Sequence, residues 1–476
     1  MLYKSLKVPL AALLRDFHFE NSDVFKRAVL HWVAAQETGM FLDSSAAAGR
    51  WQFLAAGGVN RQLKCSAGNA FAQLRQWYDE QPGWLFGALA YDLKNEVEHL
   101  QSTHFDGIQF PDLYFFQPEI VLGLREGQVE VYSLSEAPED TLFGMRNEGG
   151  VRNAECGMRN AGTPSIPGSE HPHSAFRTPH SSFPLHSAFP LHSALHIPHS
   201  AFLQARLPRT DYLNTVARIR EHIIEGDLYE MNLCQEFFAT PVQIDPLEVY
   251  ERLSALAQAP AGAWFRLADK YLLCASPERF IQKQGDKLIS QPIKGTRRRS
   301  TDSPEDEAIK RELYHSIKDR AENVMIVDLV RNDLARHCLP GSVRVEELFG
   351  IYTFNTVHQM ISTVSGRLRP DTHPIDALRD AFPMGSMTGA PKVMAMQLIE
   401  RYERTHRGLY SGSVGYIDPA GDFDFNVVIR SIQYNAAAQY LSVSAGGAIV
   451  YDSEAEQEYE ECLLKTRAMR EALGMI

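Results

Sequence analysis

Residues 144–204 constrain the fold more than any other stretch of this chain. Gly144-Met145-Arg146-Asn147 recurs at Gly157-Met158-Arg159-Asn160, and His-Ser-Ala-Phe or a near variant then begins at His173, His180, His186, His192 and His199. Prolines fall between these repeats. Proline fixes φ and withholds a backbone donor, so neither a helix nor a sheet ladder persists through such a stretch. Seven histidines between His171 and His199 raise the question of a metal site, but that backbone would not fix their geometry. The stretch reads as a flexible insertion, 143–204, between two globular regions, 1–142 and 205–476.

Those regions hold ample material for a core. Of 476 residues, 44% are hydrophobic and 10% aromatic, which excludes a disordered chain. With 47 Lys+Arg against 59 Asp+Glu, the formal charge is −12, which argues against a nucleic-acid partner because that would need a basic face. Cys65, Cys156, Cys234, Cys274, Cys338 and Cys462 show no CxxC spacing. Neither a zinc site nor a disulfide framework is expected, which suits a reducing, cytoplasmic compartment. Arg15-Asp16 interrupts the N-terminal apolar run, so it does not read as a signal peptide. No apolar run approaches the ~18 residues that a membrane span needs.

Apolar spacing predicts helices over 22–37, 212–225 (stopped by Gly226), 247–256, 304–330 and 453–473. Strands are expected at 41–44, 51–54, 84–91, 113–116, 120–124, 264–267, 271–274, 280–282, 287–290, 410–417, 423–434 and 441–449. Runs of strands with interspersed helices indicate an α+β fold rather than a doubly wound parallel sheet.

Gln291-Pro292-Ile293-Lys294-Gly295-Thr296 lies just past a predicted strand and leads into Arg297, Arg298 and Arg299. Neighbouring cations would lower the pKa of Lys294 and free its lone pair to attack carbon. A solvated basic loop fits the same residues. In the last helix Glu458, Glu461 and Lys465 share one face, and Glu322 directly precedes the apolar run Val324-Met325-Ile326-Val327. Magnesium takes one or two carboxylates and keeps open positions, so Glu322 and Glu461 from two helices would suit it; a self-paired solvated stripe is the other reading. Gly385-Ser386-Met387-Thr388-Gly389-Ala390-Pro391-Lys392 looks like an anion-binding turn before a helix. It is not a P-loop, because Ala390 and Pro391 break that pattern. Ser444-Ala445-Gly446-Gly447-Ala448 is a second small-residue turn, and Arg430 at a strand end could clamp a carboxylate. Together these describe a site for a small dicarboxylate.

The segments QPIKGTRRR, Ala321-Glu322-Asn323 with MIVDLVRND, GSMTGAPKVMAM, YSGSVGY, FNVVIRS, SAGGAIV and EYEECLLKTRAM resemble, in order, the chorismate-utilising enzymes. GWLFGALAYDLK and FPDLYFF resemble that family's N-terminal region. The resemblance implies an α+β fold in which large antiparallel β-sheets pack as a sandwich with surrounding helices. Family members that form anthranilate read Pro-Ile-Ala-Gly-Thr where this chain has Lys294, whereas the 4-amino-4-deoxychorismate branch reads Pro-Ile-Lys-Gly-Thr. That implies amination of chorismate on the way to p-aminobenzoate and folate. The lysine amine would attack C2 as the C4 hydroxyl leaves, and ammonia would then add at C4 and expel the lysine. By the same resemblance Glu278 is the general acid, and Glu322, Glu458 and Glu461 form a magnesium shell. Thr388, Tyr410, Arg430, Gly446, Gly447 and Lys465 match carboxylate-binding positions, and His358 matches an active-site histidine.

One position departs from the pattern. Ammonia-adding members commonly end Gly-Asp-Ile-Tyr with Gln and water-adding members with Lys, but here Gly226-Asp227-Leu228-Tyr229 leads to Glu230. Leu42-Asp43-Ser44 resembles part of a tryptophan-binding element, leaving open whether tryptophan binds. No cysteine sits in a Gly-x-Cys-x-Gly nucleophile turn, so a separate glutaminase subunit is expected to supply ammonia, and a further enzyme to release p-aminobenzoate. Anthranilate formation is the alternative activity; a non-catalytic chorismate-binding relative is the other class.

Overall fold

The structure, a computed structural model, describes residues 3–16, 19–44, 50–134, 203–354 and 357–476. The expected insertion lies almost wholly outside them. Central strands of the fold have core on both faces, and alternation decides which residue faces which core. In Thr38–Asp43, Met40 points into one cluster and Phe41 into another; in Ala261–Leu267, Trp264 opposes Ala263 and Phe265.

One sheet runs Lys4–Pro9, Gln128–Ser133, Ile120–Arg125, Phe53–Gly57, Thr38–Asp43, Ala261–Leu267, Lys270–Ser276, Ser431–Asn435, Tyr440–Ile449, Glu230–Ala239 and Gly389–Ala390. The other runs Ile293–Arg298, Val357–Arg367, Lys287–Gln291, Arg279–Gln284, Phe423–Asn426, Ser413–Ile417, Leu85–Leu89, Leu113–Gln117 and Arg61–Cys65. Both sheets join strands from the two sides of the insertion, antiparallel, as where Thr38–Asp43 pairs Ala261–Leu267 and Leu85–Leu89 pairs Ser413–Ile417. Leu54, Phe265 and Leu272 of the first sheet meet Phe86, Tyr114, Phe116 and Tyr416 of the second. Each such buried side chain contributes about 2 kcal/mol. Helices Ser22–Ala35, Pro246–Ala257 and Ala455–Ala472 cover the first sheet's outer face; Ala70–Glu80, Ile317–Ala335 and Pro374–Ala381 cover the second's. The α+β sandwich expected from the motifs is the fold that forms. Among the described residues no helix is long and apolar enough to cross a membrane.

Two predicted elements are corrected. The helix expected over 304–330 is two, Ser303–His315 and Ile317–Ala335, because Ser316 takes an extended backbone and its hydroxyl accepts from the Asp319 amide. The strand expected over 423–434 is also two: Phe423–Asn426 belongs to the second sheet and Ser431–Asn435 to the first. Arg430 sits in the crossover at φ +52°, rather than ending a strand.

Candidate active site

Lys294 lies just past the strand Lys287–Gln291, as the sequence suggested, and inside a further strand, Ile293–Arg298. It falls in a register shift between Ile293 and Thr296 against Val357–Arg367, the kind of irregularity that re-aims a side chain. Gly295 follows at φ +90°, and a Cβ there would stand 3.0 Å from the Asp319 side chain. Glycine at this position lets the helix Ile317–Ala335 close onto the lysine strand, carrying Glu322 with it.

The partner on the other side comes from far away in sequence. Lys294 Nζ donates to Glu230 Oε1 at 2.6 Å, with the Glu230 side chain 1% exposed and that of Lys294 11%. Glu230 opens the strand Glu230–Ala239 and pairs with Ala390 of the small-residue turn, where the Tyr229 amide donates to the Ala390 carbonyl. Gly389, at φ +151°, permits this approach, since a Cβ there would lie 2.1 Å from the Glu230 carbonyl oxygen. Gly389→Ala is therefore expected to destabilise the fold by about 3 kcal/mol, read as a fall in melting temperature. An unchanged melting temperature would mean that the turn shifts freely.

The expected electrostatics are overturned. Burial works against the charge on Lys294, but Glu230, Glu322 and Glu278 outweigh it and hold the ammonium above the ordinary lysine range. The arginines act elsewhere. Arg297 binds Asp319 at 2.7 Å, Arg299 binds Asp306 at 2.9 Å, and Arg298 is exposed. Arg297 and Arg299 tie the strand to the two helices that follow it instead of priming the lysine.

Glu278 is 5% exposed and lies against a small cavity lined by Ile326, Val330 and Met384. Burial pushes its carboxyl up to about 7, offset in part by hydrogen bonds with Ser386 and the Ile293 backbone and by the charge on Lys294. An acid poised near 7 suits proton donation at neutral pH.

The three carboxylates expected to hold metal come from two helices. Burial pushes Glu322 up to about 7, and its Oε1 is buried without a hydrogen-bond partner. Glu458 is buried and accepts from Ser453 Oγ at 2.7 Å; Glu461 pairs with Lys465 at 2.6 Å. The charge of the Lys318 ammonium reaches all three. A Cβ on Gly447 would stand 2.9 Å from Glu458 Oε2 and 3.6 Å from Glu461 Oε1; the glycine keeps open the space that a cation and its ligands would need. This all-oxygen, partly unpartnered donor set fits a hard divalent cation. Among the described residues, the ligand atoms that already lie within 4.8 Å of one another are those of His222, Glu225 and Asp227 on the surface, a group the motifs do not include.

The remaining candidates divide. Arg430 has a guanidinium held by one long bond, 3.5 Å to the Lys465 carbonyl, and burial lowers its pKa; its donors are largely uncommitted. Lys465 also donates to the Gly446 carbonyl at 2.7 Å, bringing Arg430, Gly446, Gly447 and Lys465 together. Tyr410 is buried nearby, within the electrostatic reach of Arg430. The Thr388 hydroxyl donates back to the Met384 and Gly385 carbonyls at 3.2 Å, which stabilises its own turn. His358 is engaged at both ring nitrogens, by Asp306 at 2.9 Å and Thr353 at 3.0 Å. Leu42, Asp43 and Ser44 line a second cavity with Trp51 and Asn426. Sequence reasoning missed Arg407. Fully buried, it donates to Glu403 at 2.7 Å and to the Met387 and Asn232 carbonyls, locking the turn to the Glu230 strand; no local pattern announces such a cross-chain clamp.

A family model described as chorismate binding enzyme matches residues 33–471. Over 258 residues, 54% of this chain, the sequence is 43% identical to aminodeoxychorismate synthase component 1 of Salmonella typhimurium, spanning 56% of that relative's length. Over 409 residues it is 32% identical to anthranilate synthase component 1 of Thermus thermophilus, covering 85% of this chain and 81% of that one. Anthranilate synthase component I of Streptococcus pneumoniae shares the fold, with a TM-score of 0.70 at 24% identity over 89% of this chain and 93% of that one.

Proposed function

Because this chain belongs to the family of chorismate binding enzymes, we propose that it aminates chorismate to 4-amino-4-deoxychorismate, which feeds p-aminobenzoate and folate synthesis. The observation that carries the reading is a largely buried lysine, Lys294, in the electrostatic reach of a buried acid, Glu278, that burial pushes up to about 7. The names of the relatives that are 40–44% identical, aminodeoxychorismate synthase component 1 among them, support it.

The amine of Lys294 attacks C2 of the ring while Glu278 protonates the departing C4 hydroxyl, which leaves as water. Ammonia adds at C4, the C2–nitrogen bond breaks, and the ammonium formed at C4 returns a proton to Glu278. Arg430 and Lys465 would receive the substrate carboxylates, as fork and point charge. Glu322, Glu458 and Glu461 would hold Mg2+, which when bound neutralises substrate carboxylate charge. A separate glutaminase would supply ammonia, and the buried free thiols Cys65, Cys234, Cys274, Cys338 and Cys462 suit a cytoplasmic protein.

The test is product analysis after incubation with chorismate, Mg2+ and ammonium. Anthranilate with pyruvate as the main product would sink the proposal. Chelating the metal is expected to lower turnover by roughly 100-fold or more, restored by Mg2+. Mg2+ should also raise the melting temperature of the protein, by about the 2.7 kcal/mol that binding at 100 times Kd supplies, and the shift should vanish in Glu322→Gln. A full shift in that variant would remove Glu322 from the metal site.

A further inference from the structure

The chemistry proposed above brings ammonia to C4, where Glu278 gives up its proton, and none of the groups assigned so far holds it. The small cavity against Glu278 has the size and the lining to do so. Helix Ile317–Ala335 closes one side of it with Ile326, Val330 and Asp333, and helix Pro374–Ala381 another with Ala381. It offers about 20 Å3 to the centres of water-sized molecules, and one such molecule needs about 10–15 Å3. Apart from Glu278, its polar side chains are engaged elsewhere, with one exception. Ser290 donates to the Phe280 carbonyl at 2.6 Å, Arg279 donates to Asp424 and Gln291, and Ser386 hydrogen-bonds Glu278. The exception is Asp333, which is 6% exposed. Its Oδ2 accepts from Lys392 Nζ at 2.8 Å, while Oδ1 is buried with no hydrogen-bond partner among the described residues. A carboxylate oxygen accepts and never donates, so it calls for a molecule that donates. Ammonia suits such a place: one N–H goes to the carboxylate, and apolar walls leave its lone pair free. Asp333 also stands among the exposed residues Asn332, Ala335 and Arg336, so the cavity reaches from close under the surface to the reacting acid.

We propose that this cavity is a holding site for one molecule of ammonia, with Asp333 Oδ1 accepting one of its N–H bonds, and that ammonia passes from it to C4. This rests on the function proposed above. No bond forms or breaks in the cavity. Ammonia leaves it intact and bonds C4 with its lone pair as the bond between C2 and the Lys294 nitrogen breaks.

Ala381→Val puts two methyl groups into the space. With chorismate and Mg2+ but no ammonia, the variant should form the covalent adduct on Lys294 as wild type does, read by peptide mass spectrometry. The apparent KM for ammonium in aminodeoxychorismate formation should rise about tenfold or more, while the KM for chorismate stays the same. In Asp333→Asn the amide oxygen turns to Lys392, which can only donate, and the NH2 group takes the place of Oδ1. The site then presents a donor where ammonia needs an acceptor, and the KM for ammonium should again rise about tenfold or more. A residue that only supports the fold would lower kcat or move both KM values. In wild type, methylamine, one methyl group larger, should fail to discharge the adduct at concentrations where ammonium does so. If Ala381→Val does not form the adduct, Asp333→Asn and methylamine decide the matter. An unchanged KM for ammonium in a variant that forms the adduct, as expected if the cavity holds an ordinary buried water, or equal discharge by methylamine, would overturn the proposal. If wild type forms neither adduct nor aminodeoxychorismate at any ammonium concentration, the proposed function falls and the holding site with it. Product formed with the same ammonium dependence in all three proteins removes the holding site alone.

Discussion

Replacing Lys294 by alanine is expected to reduce chorismate amination at least ~1000-fold, since no other group in the cluster can form the bond to carbon. The same change leaves Glu230 buried beside Glu322 and Glu278 with their shared cation gone. Breaking a buried pair in this way costs about 3 kcal/mol, so lost activity in Lys294→Ala could reflect a damaged fold. Lys294→Arg separates the two effects. Its guanidinium keeps a charge for Glu230 and should hold the melting temperature close to wild type, yet it stays protonated and is not a nucleophile. We expect Lys294→Arg to fold and to be inactive. If it retained turnover within tenfold of wild type, Lys294 would be an electrostatic residue only.

The second large effect is at Glu278. Glu278→Gln should lower turnover by a factor of about 100 to 10,000, the usual contribution of a positioned acid. The pH dependence has a definite sign. Glu278 is raised from its ordinary 4.5 to about 7, so the folded enzyme carries the needed proton below that pH and loses it above. Turnover should fall as pH rises through about 7, and the residual activity of Glu278→Gln should lack that limb. By linkage, the folded state binds this proton more tightly than the unfolded chain does. Its contribution to stability is thus full below 4.5 and is lost as pH rises through about 7. A wild-type profile flat from pH 6 to 9 would remove Glu278 from the rate-determining step.

How much of this was legible in the sequence depended on whether the cause was local. Gly226 stops its helix at φ +89°, and the hairpin around Asp269 joins Ala261–Leu267 to Lys270–Ser276; both are written in adjacent residues. The strand Glu230–Ala239 was not legible, because Asn232, Gln235 and Glu236 are buried in it and erase the alternation. Their partners are distant: Gln235 bonds the Leu207 backbone, and Glu236 bonds Arg206, Tyr440 and Thr405. The hairpin of Arg344–Thr353 with Val357–Arg367 was likewise unforeseen. At the candidate site, the residue types were legible but the electrostatics were not. The three arginines next to Lys294 in sequence suggested a lowered pKa, whereas the charges that act on it in space are carboxylates from another strand, a helix and a loop. Glu230 stood out as a departure, and only the fold shows what it touches.

Peptide mass spectrometry tests directly whether Lys294 itself bonds the substrate. The enzyme is mixed with chorismate and Mg2+ in the absence of ammonia, quenched and digested. The expected result is a Lys294 peptide heavier by chorismate less one water, which disappears when ammonium is added before the quench and is absent from Lys294→Arg. Steady formation of aminodeoxychorismate with no adduct at Lys294, or the same product from Lys294→Arg at an undiminished rate, would contradict it.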